Sequence, residues 1–125
     1  MIEPPVEPIR VVVTRAQPSV LLVQVHGELD MATAPCLQEQ LLPALERDGH
    51  SVLVVDLTRV PFLAAAGIAV LLRLRALARE RDVALRIVAA HRPVTRPLSL
   101  LGLDSALELL PTREQALGAV PVDHR

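Results

Sequence analysis

The sequence predicts an α/β domain: a small mixed, largely parallel β-sheet of about five strands, opening with a hairpin and flanked by about four helices. Three observations predict it. Two strand-like runs open the chain with only Gln17-Pro18-Ser19 between them. After them, β-branched apolar runs alternate with segments of helical periodicity. Ser51 to Leu57, reading SVLVVDL, is apolar on both of its alternating faces, as a strand covered from both sides must be.

In chain order, Ile9, Val11 and Val13 alternate with Arg10 and Thr14, which predicts a strand with one wet face. Val20 to His26 is more uniformly apolar and fits a central strand. Gly27-Glu28-Leu29-Asp30 breaks that pattern. Ala34 to Asp48 is then expected to be helical, with Leu37, Leu41, Ala44 and Leu45 on one side, Thr33 as N-cap and Pro35 in the first turn. Pro43 is expected to kink or end this helix. After the 51–57 strand, Gly67 to Arg81 carries an apolar stripe of Val70, Leu71, Leu74, Leu77 and Ala78. Val83 to Ala89 alternates as a strand, and Val94 to Leu101 is a short helix stopped by Gly102. Leu107 to Leu110 predicts an edge strand, and Thr112 caps a last helix. Residues 1–8, with Pro4, Pro5 and Pro8, read as an extended tail, 9–120 as one domain, and 121–125 as a frayed end.

Composition excludes more than it suggests. Thirteen arginines and no lysine face fourteen carboxylates, for a formal charge of −1. That balance favours neither direct nucleic-acid binding nor membrane insertion. Without lysine there is no Walker lysine and no Schiff-base nucleophile. Phe62 is the one aromatic residue, so no stacking platform for single strands can form. Cys36 stands alone, and the four histidines have no ligand spacing, so neither a disulfide nor a zinc quartet is expected. No basic-then-apolar leader opens the chain, and the apolar run 60–72 is too short to span a bilayer. The expectation is a cytoplasmic, non-enzymatic protein without cofactor or metal.

In a parallel sheet, ligands and partners meet the loops at the carboxyl ends of the strands. Those loops are 27–33, 58–67 and 90–93. Asp30 and Asp56 read best as hydrogen-bond acceptors that order loops, and His91 as a solvated turn residue. The arginines of the 67–81 helix, with Arg92 and Arg96, read as a solvated helical face, and Cys36 as a small packing residue.

Three segments, in order and with this spacing, carry a resemblance. GELDMATAP at 27–35, VVDLTRVPFLAAAGIAVLL at 54–72 and VTRPLSLLGLDSALELLPTREQAL at 94–117 resemble a STAS domain of the anti-sigma factor antagonist type. The resemblance implies a binding module whose partner is an anti-sigma factor that is also a serine kinase. Binding would free a sigma factor. Phosphorylation of a Ser or Thr just before the glycine that opens the second helix would break the complex. It further implies partner contacts through Asp30, Thr33, Thr58, Phe62, Ala64, Ala65, Ala66 and Gly67.

At the acceptor loop this sequence departs from its relatives. Where an Asp-Ser-Ser-Gly or Asp-Ser-Thr-Gly loop is expected, it has Ala64-Ala65-Ala66-Gly67, and the position equivalent to the phosphoacceptor is Ala66. Because alanine is a poor cap but propagates helix well, the helix is expected to begin before Gly67. Two readings of the triple alanine stay open: a surface locked in the neutral state, or a site reshaped for another partner. The runner-up for the whole chain is an adaptor subunit of a membrane transport or sensory assembly. A homodimer also stays open.

Overall fold

Secondary structure follows the expected order. The elements are β1 (Arg10–Gln17), β2 (Val20–His26), α1 (Ala34–Glu46), β3 (Val52–Arg59), α2 (Ala65–Glu80), β4 (Ala84–Val88), α3 (Arg92–Leu100), β5 (Leu109–Leu110) and α4 (Arg113–Gly118). The computed structural model describes residues 9–118; the tail expected at 1–8, the domain's last two residues and the end at 121–125 lie outside the described residues.

The sheet order is β1-β2-β3-β4-β5, with β1 antiparallel to β2 and every later pair parallel. Each crossover steps in the same direction along the sheet. A constant crossover hand therefore puts the three intervening helices on one face. Leu37, Leu41 and Leu45 of α1, Leu71 and Leu74 of α2, and Val94 and Leu98 of α3 share one core with Leu21, Val23, Leu53, Val55 and Ile87. Burying each such leucine contributes about 1.5–3 kcal/mol relative to leaving it in water. The opposite face carries Val20, Leu22, Val52, Val54 and Val88, and Ala116 of α4 packs there. Thus β3 is buried on both faces, which is why its sequence reads as a continuous apolar run.

Some boundaries differ from the expectation, each for a local reason. Pro43 sits inside α1, and the helix continues through Glu46. Pro43 lies on the exposed side, while Ala44 and Leu45 are buried, so core contacts hold the last turn despite the missing N–H. The α3 helix begins at Arg92, before the predicted Val94, and contains Pro97. Its end is as predicted: Gly102 has φ of +69°. Its N–H donates to the Ser99 carbonyl at 3.0 Å, and that of Leu103 to the Leu98 carbonyl at 2.8 Å. This is a Schellman closure.

At the far end of the sheet, the Arg15 guanidinium donates to the carbonyls of Pro18 and Gly49, at 2.9 and 3.0 Å, joining the hairpin to the α1–β3 turn. His50, in the same turn, has both ring nitrogens buried and without a hydrogen-bond partner among the described residues. Burial, with the charges of Arg15 and Arg47, outweighs the opposing pull of the Arg47 backbone and of Asp48 and holds its pKa below the ordinary 6.5. A lowered pKa means the unfolded chain binds this proton first, so stability falls as pH drops below 6.5. Urea midpoints measured at pH 8, 6.5 and 5 are expected to decline below 6.5, and the His50→Gln variant to show a shallower decline across that window.

Candidate functional site

The β2–α1 and β3–α2 connections meet at the carboxyl ends of their strands. Leu29 and Leu63 form an isolated parallel bridge there. The Leu29 N–H donates to the Phe62 carbonyl at 3.2 Å, and the Ala64 N–H to the Leu29 carbonyl at 2.8 Å. Both leucine side chains are buried, so the bridge is pinned from below. From the side, the Leu63 N–H donates to the Pro93 carbonyl at 3.3 Å. The result is one continuous rim made from three loops.

The first loop is a hydrogen-bonded knot. Asp30 Oδ1 accepts the N–H groups of Ala32 and Thr33, each at 3.0 Å. The Thr33 hydroxyl donates to the Glu28 carbonyl at 2.6 Å and accepts the Asp30 N–H at 3.0 Å. This corrects the capping assignment. Thr33 occupies the N-cap position of α1 but makes no side-chain cap bond. Its hydroxyl is committed across the loop, and Asp30 satisfies the amides before the helix instead. Thr33 is 5% exposed, so it shapes the rim from beneath. Met31 stands out from the same knot at 82% exposure. The sequence pattern does not single it out; its one signal is an apolar side chain inside a turn that polar groups tie down.

The second loop ends at the start of α2. Ala64 is its N-cap, extended at φ −91° and ψ 171°, with no side-chain cap bond. The bond to Leu29 holds Ala64 out of the helix, so the helix starts at Ala65, two residues before Gly67, in line with the alanine run. Gly67 is required by a close approach. A Cβ there would lie 2.7 Å from Leu63 Cδ1 and 2.9 Å from Leu29 Cβ. Ala65 and Phe62 are exposed and Ala66 is half-buried, so methyl groups and one phenyl ring surround the positive end of α2.

Of the residues predicted to meet a partner, Asp30, Thr33, Phe62, Ala64, Ala65, Ala66 and Gly67 fall on this rim. Thr58 does not. It lies at the end of β3 and lines a cleft of about 320 Å³ with Asp56, Thr112 and Arg113. Asp56 is the loop-ordering acceptor expected: it takes the Thr58 N–H at 2.9 Å. Burial pushes its pKa up, but bonds from Thr58 and the Arg113 guanidinium outweigh that and hold it below the ordinary carboxylate value. His91, expected to be solvated, is half-buried with Nε2 against the Val60 carbonyl, because the turn before α3 leans on the rim. Cys36 packs against the core and its sulfur accepts a bond from Gln40 at 3.2 Å. Arg73, Arg79, Arg92 and Arg96 are exposed, as a solvated face requires, but Arg75 is half-buried and its Nε donates to the Ala106 carbonyl at 2.7 Å, tying α2 to the turn before β5. No group of three potential metal ligands converges among the described residues.

The sequence matches the STAS domain family over residues 11–116. It is 33% identical over 104 residues to the anti-sigma-F factor antagonist RsfB of Mycobacterium tuberculosis, covering 81% of each chain. The chain is a STAS domain of the anti-sigma factor antagonist family. The crystal structure of an anti-sigma factor antagonist from Mycobacterium paratuberculosis matches this STAS domain with a TM-score of 0.79 at 34% identity, covering 91% of this chain and 95% of the other. Unphosphorylated SpoIIAA shares the fold, with a TM-score of 0.73 at 14% identity over 88% and 95% of the two chains. The described part of the STAS domain has no helix long and apolar enough to cross a membrane.

Proposed function

We propose that this STAS domain is a non-enzymatic, cytoplasmic antagonist that docks through the rim onto an anti-sigma factor with serine kinase activity, releasing a sigma factor. It does so without being phosphorylated at Ala66. The observation that carries this reading is the make-up of the α2 cap: Ala64, Ala65 and Ala66 present methyl groups at a helix N-terminus, on a rim that also exposes Met31 and Phe62. In a partner-switching pair, a phosphate on this cap would bring about −1.5 to −2 charges and their hydration into the contact. A cap of three alanines has no side-chain hydroxyl to receive one, so the surface keeps its neutral, docking form. Similarity to an antagonist over four fifths of the chain supports this reading over a transport adaptor.

The test mixes the purified chain with each purified kinase anti-sigma factor from the same genome, with and without ATP. One of them is expected to form a complex that ATP leaves intact, while the intact mass of the STAS domain stays unchanged. Failure to bind any of them refutes the docking role and points to a reshaped rim. A mass increase of one phosphate refutes the loss of the acceptor.

A further inference from the structure

We propose that Asp56 positions the docking rim and that Arg113, on α4, sets how firmly it does so. Asp56 is 3% exposed, on the sheet face away from α1, α2 and α3. It is the last residue of β3 aligned with both neighbours, Gln24 on β2 and Val88 on β4. Immediately beyond it the β2–β3 register slips, with His26 next aligned to Arg59, and β3 leaves the ladder toward Phe62 and Ala64. The carboxylate divides its two oxygens between two elements. Oδ1 accepts the Thr58 N–H at 2.9 Å, fixing the end of β3 just before the departing loop. Oδ2 accepts Arg113 Nη2 at 2.7 Å and Nε at 3.1 Å.

Among the described residues, α4 rests on the sheet through few side chains. Ala116 is buried in the second core and Leu117 half-buried beside it, on a helix of six residues. The ion pair therefore adds a polar tether to α4, and the same carboxylate holds the Thr58 amide at the end of β3, from which the chain runs on to the rim. Removing Arg113 leaves a buried carboxylate with no counter-charge, which relaxes by drawing water to the β3 exit. Whatever lifts α4 from the sheet thus loosens the rim from the opposite face.

The functional meaning of the rim rests on the proposed docking role, yet the test contains no partner, so either can fail without the other. Amide hydrogen exchange of the full chain is followed by NMR in the wild type, Arg113→Ala, Arg113→Lys, Asp56→Asn and the Asp56→Asn/Arg113→Ala double variant. In Arg113→Ala, exchange of the Leu29, Leu63 and Ala64 amides is expected to accelerate about tenfold, as loss of part of the Arg113–Asp56 ion pair's worth from a local opening implies. Leu53 and Val55, at the sheet centre, are expected to hold their rates. Arg113→Lys is expected to restore most of the protection, and Arg113→Ala to add little in the Asp56→Asn background. Unchanged rim rates, equal acceleration at the sheet centre, or additive effects of the two substitutions would each overturn the proposal.

Discussion

Gly67→Ala is expected to destabilise the protein by about 1–3 kcal/mol, the usual cost of forcing a methyl group into a filled space. The sign is not obvious from the helix alone. Gly67 lies in the first turn of α2, and inside a helix alanine is better than glycine by roughly 0.8–1 kcal/mol. Geometry decides against the alanine. Its Cβ would stand 2.7 Å from Leu63 Cδ1, 2.9 Å from Leu29 Cβ and 3.3 Å from the Leu29 carbonyl oxygen. Leu63 can rotate its terminal methyl away. Leu29 cannot yield, because its N–H and carbonyl are both bound to the β3–α2 loop and its side chain is buried. The start of α2 must therefore move off the Gly27–Asp30 loop and split the rim. Urea unfolding reads the loss as a lower midpoint. Gly118→Ala is the control: a Cβ added there meets nothing within 4 Å, so the change is expected to stay within about 0.5 kcal/mol. If both variants match the wild type, the close approach at Gly67 is not a constraint.

What made the sheet legible was burial. Residues of β2 and β3 had to be apolar on the faces they bury, and α1 and α2 had to repeat apolar residues at helical spacing, so their periodicity survives in the sequence. Hydrogen-bond partners leave no such trace. Asp30 and Thr33 are both good capping residues, and composition gives no reason to prefer one. The choice depends on the Glu28 carbonyl, which captures the Thr33 hydroxyl only after the loop has folded back. Asp56 and Arg113 are 57 residues apart, and nothing around either announces the other. Nearness along the chain groups Thr58 with the rim. Strand alternation instead sends its side chain to the cleft under α4. The rim itself was legible through three linked segments, whereas Met31 was hidden because exposure of an apolar residue cannot be read from a turn.

Ala66→Asp is expected to leave the fold intact and weaken partner binding by about 100-fold. The two effects separate because they draw on different electrostatics. Ala66 is the second residue of α2, where an acidic side chain meets the positive end of the helix and gains roughly 0.3–1 kcal/mol. The first turn of α2 holds no acid, and the nearest one on the rim, Asp30, has Oδ1 committed to the amides of its own loop. Ala66 is half-buried against the core, so partial desolvation of the carboxylate offsets that gain and unfolding midpoints should stay close to the wild type's. The rim also exposes Met31 and Phe62, and a partner that covers the cap together with them must strip the carboxylate of its water. An unpaired charge buried at an interface costs about 2–5 kcal/mol, which is the source of the 100-fold figure. Titration calorimetry with the kinase partner reads it, and Ala66→Ser, of similar size but uncharged, is expected to bind nearly as well as the wild type. If Ala66→Asp binds undiminished, the α2 cap lies outside the contact. A gain of function supplies the converse. With Ala64→Asp, Ala65→Ser and Ala66→Ser combined, the same kinase and ATP should add one phosphate and dissociate the complex. That result would mean the rest of the kinase contact is intact and that three methyl groups alone separate this surface from a switchable one.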